Sequence, residues 1–251
     1  MLIDKSKTTY SNQDGYTNKR KKLHEAIIRE KQRSYQSQQE PIAFLMGGGS
    51  ASGKTWLRGI IIEEQEALGN DFMIIDADEI KTMLPEYPSL LQSNPKYMAR
   101  ILHDESSDIA LVLLQDSAEK KLNTIYDGTM KNYEKYNEII SRLKRLGYQV
   151  RLIIADVDLD EAKRRNEDRF QRTGRFVPVA ELTQSHIKVA EVFQQLKDES
   201  DEYVLYDTFN GLNVFAYKTV EDGELVFDQE RFNVFLQKSG IETEPLERKS
   251  S

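Results

Sequence analysis

The sequence PIAFLMGGGSASGKT, residues 41–55, runs from an apolar stretch into a glycine-rich loop that ends in a lysine and a threonine. The segment from Gly48 to Thr55 fits the pattern G-x-x-x-x-G-K-[ST], which forms a phosphate-binding P-loop where a strand precedes it and a helix follows. Glycines allow the backbone N–H groups to point inward at a phosphate, and the amino end of the next helix adds positive potential. This stretch therefore predicts a nucleotide site between a strand and a helix.

The side chains and the backbone of this loop have separate expected roles. Lys54 is expected to bridge the phosphates of ATP, and the Thr55 hydroxyl to reach a Mg²⁺ ion. The alternative, a glycine-rich turn that matches the pattern by chance, is disfavoured by the apolar run before the loop and the helical pattern after it. The residues expected to bind ATP are Gly48, Gly49, Ser50, Ala51, Ser52, Gly53, Lys54 and Thr55.

Short apolar runs alternate with longer helical or polar segments along residues 41–210. This alternation predicts parallel βαβ units with helices on both faces of one sheet, and right-handed crossovers bring the carboxyl ends of the strands to the edge where ligands bind. Residues 41–240 are therefore expected to form an α/β P-loop kinase domain, with a small C-terminal hairpin after residue 210 and a last helix near residues 229–238. The predicted parallel strands are PIAFLM, DFMIID, LNTIYD, YQVRLIIADV and YVLYDT.

The segments outside this domain have simpler patterns. Residues 1–17 are polar and predict a poorly ordered N-terminal segment, and residues 241–251 predict a disordered tail. Residues 18–40 predict a surface helix with an apolar stripe. The basic cluster at residues 19–22, which opens this helix, could bind phosphate or RNA, but a solvated helix start is favoured.

The amino-acid composition excludes several classes of protein. The chain has 251 residues, a net charge of −7, no cysteine and three histidines. An acidic balance argues against a nucleic-acid partner, and the absence of cysteine removes disulfides and thiolate metal sites. The N-terminus lacks the order of a secretory signal, and no apolar run approaches the ~20 residues that span a bilayer. We expect a cytoplasmic enzyme or regulator with no nucleic-acid and no membrane partner.

The motifs around the loop distinguish among P-loop proteins. A G-protein needs a guanine-reading N-K-x-D after the loop, which is absent, and a motor ATPase needs a larger core with accessories. A small-molecule kinase needs an acid near the acceptor hydroxyl and cations around the transferred phosphoryl group. The remaining motifs supply both. The alternatives are a kinase of another nucleotide or small molecule and a nucleotide-binding regulatory module without catalysis.

Acidic residues follow two of the predicted strands. MIIDADEI places Asp76 and Asp78 at the end of the second strand, where one carboxylate is expected to hold Mg²⁺ or support the loop and the other to orient an acceptor hydroxyl. An N-cap for the helix EIKTML is the alternative for Asp78. IYDGT places Asp127 and Thr129 at the end of the third strand, where they are expected to serve the substrate or, through water, Mg²⁺. A turn with a helix N-cap is their alternative.

Arginines repeat along DEAKRRNEDRFQRTGRFVP, after the fourth predicted strand. Arg165, Arg169 and Arg172 are spaced four and three residues apart and therefore share one helix face. Arg175 follows where this helix should end. Such a run of charges usually forms a solvent-exposed helix face, here with a Glu161–Arg165 ion pair. Its position after the ligand-facing end of a strand favours a lid that brings guanidinium groups over the transferred phosphate.

In their order along the chain, GGGSASGKT, IIDADEIK, HDESSDIALVLL, YDGT, GYQV and EAKRRNEDRFQRTGRFVP resemble the motifs of the zeta toxin family of P-loop kinases, over about residues 20–210. The resemblance implies a parallel sheet flanked by helices, with an arginine-bearing lid. It also implies transfer of a phosphoryl group from ATP, with Mg²⁺, to a small nucleotide-type acceptor, most typically the 3′-hydroxyl of UDP-N-acetylglucosamine. An antitoxin protein that covers the nucleotide site is the implied partner.

The resemblance also implies roles for individual residues. Asp78 resembles the family's catalytic base, and Lys54 and Thr55 resemble its phosphate and Mg²⁺ ligands. Asp76 is expected to hold Mg²⁺ together with Thr55. The implied catalytic residues are Asp78, Lys54, Arg169 and Arg175.

The substrate contacts follow the family less closely. Asp127 stands where family members often have Glu, with Thr129 beside it, and a further family acid lies on the helix before this motif. Here that acid is either Glu105 or Asp108, because the helix is a few residues longer and the match slips. The implied substrate-binding residues are Asp78, Glu105, Asp108, Asp127 and Thr129.

Overall fold

The structure is a computed structural model that describes residues 4–173 and 176–240. Arg175 and the tail at residues 241–251 lie outside the described residues. The strands are β1 (Ser11–Asn12), β2 (Gly15–Tyr16), β3 (Ile42–Gly48), β4 (Met73–Ile75), β5 (Thr124–Tyr126), β6 (Gln149–Asp156), β7 (Glu202–Asp207), β8 (Asn213–Thr219) and β9 (Gly223–Val226). The helices are α1 (Ser6–Tyr10), α2 (Asn18–Gln32), α3 (Lys54–Ala67), α4 (Ala77–Thr82), α5 (Tyr87–Ser93), α6 (Pro95–Glu119), α7 (Tyr133–Arg145), α8 (Leu159–Thr173), α9 (Val179–Leu196) and α10 (Gln229–Gln237). Within these ranges, none of the helices is both long and apolar enough to cross a membrane.

A seven-stranded sheet forms the centre of the described chain, in the order β4-β5-β3-β6-β7-β8-β9. The strands from β4 to β7 in this order are parallel, and β8 and β9 are antiparallel. The predicted parallel α/β sheet and C-terminal hairpin are therefore confirmed. Because β5 lies between β4 and β3, Tyr126 pairs with both Ile75 and Leu45. The carboxyl ends of these three strands consequently meet at one place.

Both faces of the sheet are buried under helices. On β3, Ala43 and Leu45 belong to one apolar cluster, whereas Phe44 and Met46 belong to another. Successive side chains of a strand point to opposite faces, so this alternation places one cluster on each face. The larger cluster includes residues of α2, α6, α7, α9 and α10, and the smaller one includes residues of α3. The fully apolar run before the P-loop is thus explained by burial on both sides.

The N-terminal segment is more ordered than its polar composition suggests. Residues 1–17 are predicted to be poorly ordered, yet α1 and the β1–β2 hairpin occupy residues 6–16, and α1 packs on α6. Ser6 is buried, and its hydroxyl donates to the Ile101 carbonyl oxygen of α6 at 3.2 Å. The prediction is therefore wrong for residues 6–16. This segment lacks a local apolar pattern, but contacts with α6, which is distant in sequence, order it.

The helix predicted over residues 18–40 is shorter than expected, and one of the basic residues at its start is buried. It covers residues 18–32 only, and Ile27 and Ile28 lie in the larger apolar cluster. Arg20, one of the basic residues at its start, is also buried because it forms ion pairs with two carboxylates. Lys19, Lys21 and Lys22 are exposed, so α2 is a surface helix whose apolar stripe packs on the core, and Arg20 is the exception in its basic start.

Candidate active site

The P-loop follows β3 directly and leads into α3. β3 ends at Gly48, and α3 begins after Gly53, whose φ of +85° lies in the left-handed region that favours glycine. A Cβ on Gly48 would lie 2.9 Å from the Ala155 carbonyl oxygen, so this position also requires glycine. The N–H of Ser50 donates to the Ser185 hydroxyl oxygen at 2.8 Å. The ATP contact predicted for Ser50 is consequently not made through its N–H, which points away toward α9.

A cavity of about 690 Å³ lies at the carboxyl ends of β3, β4 and β5, with α6 and the start of α7 as further walls. Sites for small molecules typically measure about 300–1,000 Å³. Six of the residues proposed from the sequence line this cavity together: Lys54, Thr55, Asp76, Asp78, Asp127 and Thr129. The fold therefore gathers the P-loop cation and three acids in one place, while the role of each stays a prediction.

Asp76 and Asp78 have different surroundings. Asp76 Oδ1 accepts a hydrogen bond from the Asp78 N–H at 2.7 Å and caps α4, and Asp76 Oδ2 accepts one from Arg58 at 2.6 Å. The alternative assignment of Asp78 as the helix cap is therefore wrong, since Asp76 is the cap. The Asp78 side chain is 59% exposed and is ion-paired with Lys81. An acceptor hydroxyl entering the cavity can reach Asp78 more readily than Asp76.

Asp127 joins the P-loop to this acid pair. Its carboxylate accepts hydrogen bonds from Lys54 and from Arg58, and only 4% of its side chain is exposed. Arg58 thus bridges Asp76 and Asp127. Sequence reasoning missed Arg58, although a signal was present: it lies four residues after Lys54 and shares its helix face.

The residues proposed for Mg²⁺ supply oxygen donors beside the P-loop. Among residues 4–173 and 176–240, no group of three or more His, Cys, Asp or Glu side chains is arranged to hold a metal ion by itself. A Mg²⁺ ion that arrives with ATP needs fewer protein ligands, because it keeps several waters and takes phosphate oxygens. Thr55 and Asp76 both line the cavity and supply the oxygen donors that Mg²⁺ prefers. This donor set fits such an ion.

The arginines of α8 have different contacts. Arg165 pairs with Glu161 at 2.7 Å, and it also donates to the hydroxyl and carbonyl oxygens of Thr208 at 3.0 Å and 2.7 Å. It therefore fastens α8 to the segment that follows β7. Arg169 donates to an asparagine one turn earlier at 2.9 Å, and it is not one of the described residues that line the cavity. Because Arg175 lies outside the described residues, the arginine lid stays a prediction.

Both helix acids proposed as substrate contacts lie elsewhere in the structure. Glu105 is fully buried, where it accepts a hydrogen bond from Arg20 at 2.9 Å and lies 2.7 Å from His24 Nε2. Asp108 accepts a hydrogen bond from the Tyr16 hydroxyl at 2.8 Å and is not among the cavity residues of the described chain. The two acids bind the N-terminal segment to α6, and the structure does not bring Glu105 and Asp108 together with the other predicted site residues at the cavity.

α6 presents His103 and Asp104 to the cavity instead. Each helical residue is rotated by about 100° from the last, so Asp104 faces the cavity while the adjacent Glu105 faces the core. Asp104 accepts a hydrogen bond from Lys5 at 2.8 Å. Burial lowers the pKa of His103, and the nearby Lys81 adds to this effect. Burial alone would raise the pKa of Glu105, but the hydrogen bonds with His24 and Arg20 outweigh it and lower this pKa to about 2.

The P-loop follows β3, an inner strand of the sheet, and acids follow β4 and β5, the next two strands along the chain. These groups share one cavity, an arrangement that belongs to the fold class of the P-loop kinases. The chain belongs to the zeta toxin family, because the model of the family described as Zeta toxin matches residues 25–220. The resemblance found in the sequence motifs is therefore confirmed over most of the chain.

Curated relatives match over a shorter span. Toxin PezT of Streptococcus pneumoniae is 29% identical over 127 residues, which cover 51% of this chain and 49% of that protein. Toxin zeta of Enterococcus hirae is 28% identical over 119 residues, which cover 47% of this chain and 41% of that protein. The chain thus spans about half the length of these relatives or less.

Solved structures match over more of the chain. The structure of the PezAT toxin–antitoxin system of Streptococcus pneumoniae has a TM-score of 0.60 at 21% identity, over 79% of this chain and 80% of that chain. The complex of AvrRxo1-ORF1 and AvrRxo1-ORF2 with ATP has a TM-score of 0.66 at 16% identity, over 94% of this chain and 77% of that chain. At sequence identities of 21% and 16%, the structural similarity shows a shared fold and nothing more.

Proposed function

We propose that this protein is an ATP-dependent phosphotransferase that moves a phosphoryl group from ATP onto a hydroxyl of a small nucleotide-type acceptor. The observation that carries the proposal is that one cavity is lined by the P-loop pair Lys54 and Thr55 and by the exposed carboxylate of Asp78. A kinase needs such an acid beside the phosphate site to position its second substrate, whereas a nucleotide-binding regulator does not.

Asp78 is the proposed catalytic base. Its carboxylate accepts a hydrogen bond from the acceptor hydroxyl and directs that oxygen at the γ-phosphorus of ATP. Because the transition state of phosphoryl transfer is loose, alignment of the hydroxyl contributes more than strong basicity. Lys81, which is ion-paired with Asp78, limits the orientations of this carboxylate.

The cations proposed to offset the developing negative charge come from two parts of the chain. Lys54 bridges the phosphates from the P-loop, and Arg169 and Arg175 supply guanidinium groups from the proposed lid. Thr55 and Asp76 would hold the Mg²⁺ that offsets the charge of the ATP phosphates. Fixed charges of this kind stabilise a transition state without reorganising during the reaction.

We propose UDP-N-acetylglucosamine, through its 3′-hydroxyl, as the acceptor that the family resemblance favours. The cavity supports an acceptor that carries phosphate, because cationic side chains line it and would pair with a diphosphate. These side chains are Lys5, Lys81, Arg100, Lys131 and Lys135. Asp104 would accept hydrogen bonds from sugar hydroxyls. We place the reaction in the cytoplasm, where ATP is available.

A protein partner is also proposed. The likeness to the PezAT toxin–antitoxin system and to the complex of AvrRxo1-ORF1 with AvrRxo1-ORF2 supports a partner that inhibits this chain. Ile27 and Ile28 of α2 are buried within the chain, so they are not available as an apolar docking face. We propose that a partner covers the open side of the P-loop cavity instead.

The test is ADP release from ATP and Mg²⁺, measured with and without UDP-N-acetylglucosamine. We expect release to depend on the acceptor in the wild type and to be lost in Asp78→Asn, with ATP binding retained. Glu79→Gln is the matched control, since the adjacent Glu79 pairs with Lys31 and does not line the cavity among the described residues. ATP binding without acceptor-stimulated release would favour another nucleotide acceptor or a regulatory module.

A further inference from the structure

Two peptide groups of the P-loop are held from outside by side chains that no proposed step of catalysis uses. His186 of α9 lies with Nε2 3.0 Å from the Ser50 carbonyl oxygen. The Thr208 hydroxyl, after β7, donates to the Ser52 carbonyl oxygen at 2.7 Å. A carbonyl oxygen only accepts, so Nε2 of His186 carries the hydrogen in this contact. Two distant segments of the chain therefore converge on alternate residues of one short loop.

The geometry of the trans peptide bond gives these contacts a consequence. In a trans peptide, the C=O of one residue and the N–H of the next point in opposite directions. Holding the Ser50 carbonyl outward turns the N–H of Ala51 inward, and holding the Ser52 carbonyl outward does the same for the N–H of Gly53. These inward N–H groups are the kind that a P-loop uses to bind phosphate.

The loop needs such support because its backbone is unfavourable on its own. Ala51 has a φ of +62°, in the left-handed region that residues with a Cβ rarely adopt. Residues held in this region persist where surrounding contacts fix them. Ser50, the residue before Ala51, is held by a second contact: its N–H donates to the Ser185 hydroxyl oxygen at 2.8 Å.

His186 is itself fixed in place. Its side chain is fully buried, and its ring packs so closely on Gly49 that a Cβ there would overlap it. Nδ1 of His186 lies 3.6 Å from Asp156 Oδ1, beyond hydrogen-bond distance. Asp156 itself is held by Arg231 at 2.6 Å and by Lys238 at 2.7 Å, so the C-terminal helix fixes the carboxylate beside the ring.

We propose that His186 and Thr208 are positioning residues for the nucleotide, which hold the P-loop carbonyls outward so that Ala51 and Gly53 present their N–H groups to the phosphates. The proposal rests on ATP binding, one part of the proposed function, and does not depend on the acceptor or on transfer. It assigns a role in binding to residues outside the G-x-x-x-x-G-K-[ST] motif.

The experiment measures ATP affinity of the full-length chain directly, with a fluorescent ATP analogue and no acceptor. Thr208→Val replaces the hydroxyl by a methyl group of the same shape, and His186→Leu removes the ring N–H. We expect each to weaken ATP binding about tenfold, as the loss of the hydrogen bond to one loop carbonyl predicts. Thr208→Val also removes the hydroxyl that accepts from Arg165, a contact outside the loop. Thr208→Ser and His186→Gln, which keep a donor, should bind within about threefold of the wild type.

Thr124→Val is the matched control, because it also removes a buried hydroxyl, one with no hydrogen-bond partner among the described residues. It should leave ATP affinity unchanged. Thr208→Val and His186→Leu proteins that bind ATP as tightly as the wild type would overturn the proposal, as would an equal loss in the conservative variants. Should His186→Leu fail to fold, Thr208→Val decides the question, since it keeps the shape of the side chain.

The outcome also separates this proposal from the phosphotransferase proposal. ATP binding that depends on Thr208 and His186, without transfer to any acceptor, would end the phosphotransferase proposal and leave the positioning role standing. If the wild type transfers phosphate but the variants bind ATP as tightly as it does, the positioning role would be ended and the phosphotransferase proposal would stand. A wild-type chain that binds no ATP would end both.

Discussion

Lys54 of the P-loop is ion-paired with Asp127, the first residue after β5. Asp127 is almost fully buried, and Arg58 contacts the same carboxylate. The acid proposed to meet the substrate therefore holds the cation proposed to meet the phosphates. We expect ATP to compete with Asp127 for Lys54, which would couple the nucleotide site to the acceptor site.

The Asp127→Asn variant tests this coupling. In the absence of Mg²⁺, we expect it to bind ATP more tightly than the wild type, because the phosphates no longer compete with a carboxylate for Lys54. With Mg²⁺ and acceptor, turnover should fall, since the charge that organises Lys54 and Arg58 is gone. Binding of a fluorescent ATP analogue in a chelator measures the first effect, with Asp108→Asn as the control outside the cavity. Weaker binding by Asp127→Asn in the chelator would instead mean that Asp127 holds Lys54 in its binding position.

Glu105 is expected to stabilise the fold and not to contact the substrate. At pH 7, Glu105→Gln should lower the free energy of unfolding by about 3 kcal/mol, because it leaves the buried charge of Arg20 short of a partner. The folded pKa of Glu105, about 2, lies below its usual value of 4.5. The stability that its charge contributes is therefore present above pH 4.5 and is lost as the pH falls from 4.5 toward 2.

The difference between the wild type and Glu105→Gln should consequently shrink over this pH range. Urea unfolding at pH 7, 5 and 3 measures it, again with Asp108→Asn as the control. A difference that stayed constant between pH 5 and pH 3 would contradict this account of Glu105.

Lys5 brings the N-terminal segment to the acceptor side of the cavity, where it pairs with Asp104. It lies outside residues 25–220, the part matched by the family. Lys5→Met removes the cation and keeps most of the aliphatic stem. We expect the KM for UDP-N-acetylglucosamine to rise about threefold, as suits an exposed ion pair, with the KM for ATP unchanged. Lys7→Met is the control, since Lys7 pairs with Asp108 away from the cavity. An unchanged acceptor KM in Lys5→Met would remove Lys5 from the site.

Local patterns were enough to predict the elements that carry the nucleotide site. A run of residues buried on both sides, a glycine-rich loop and a helix start are all properties of neighbouring residues, and residues 41–55 hold all three. The placement of β5 between β3 and β4 is a property of the whole sheet. This placement brings Asp127 next to Lys54, and no pattern among neighbouring residues predicts it.

The errors lie where distant residues decide the structure. Arg20 meets Glu105 across 85 positions of sequence, and this buried pair orders a segment that looks solvated. The same pair removes Glu105 from the cavity and leaves Asp104 there. Arg58 was missed for a different reason: its helical spacing from Lys54 was readable, but the two carboxylates that it bridges come from separate strands.

Above all, Asp78 is proposed to direct an acceptor hydroxyl at the γ-phosphorus of ATP. The most direct measurement follows γ-labelled ATP and records how the label divides between UDP-N-acetylglucosamine and inorganic phosphate, in the wild type and in Asp78→Asn. We predict label on the acceptor in the wild type, and transfer at least about 100-fold slower in Asp78→Asn with ATP affinity retained. Label that appears only as inorganic phosphate, or transfer by Asp78→Asn at close to the wild-type rate, would contradict the claim.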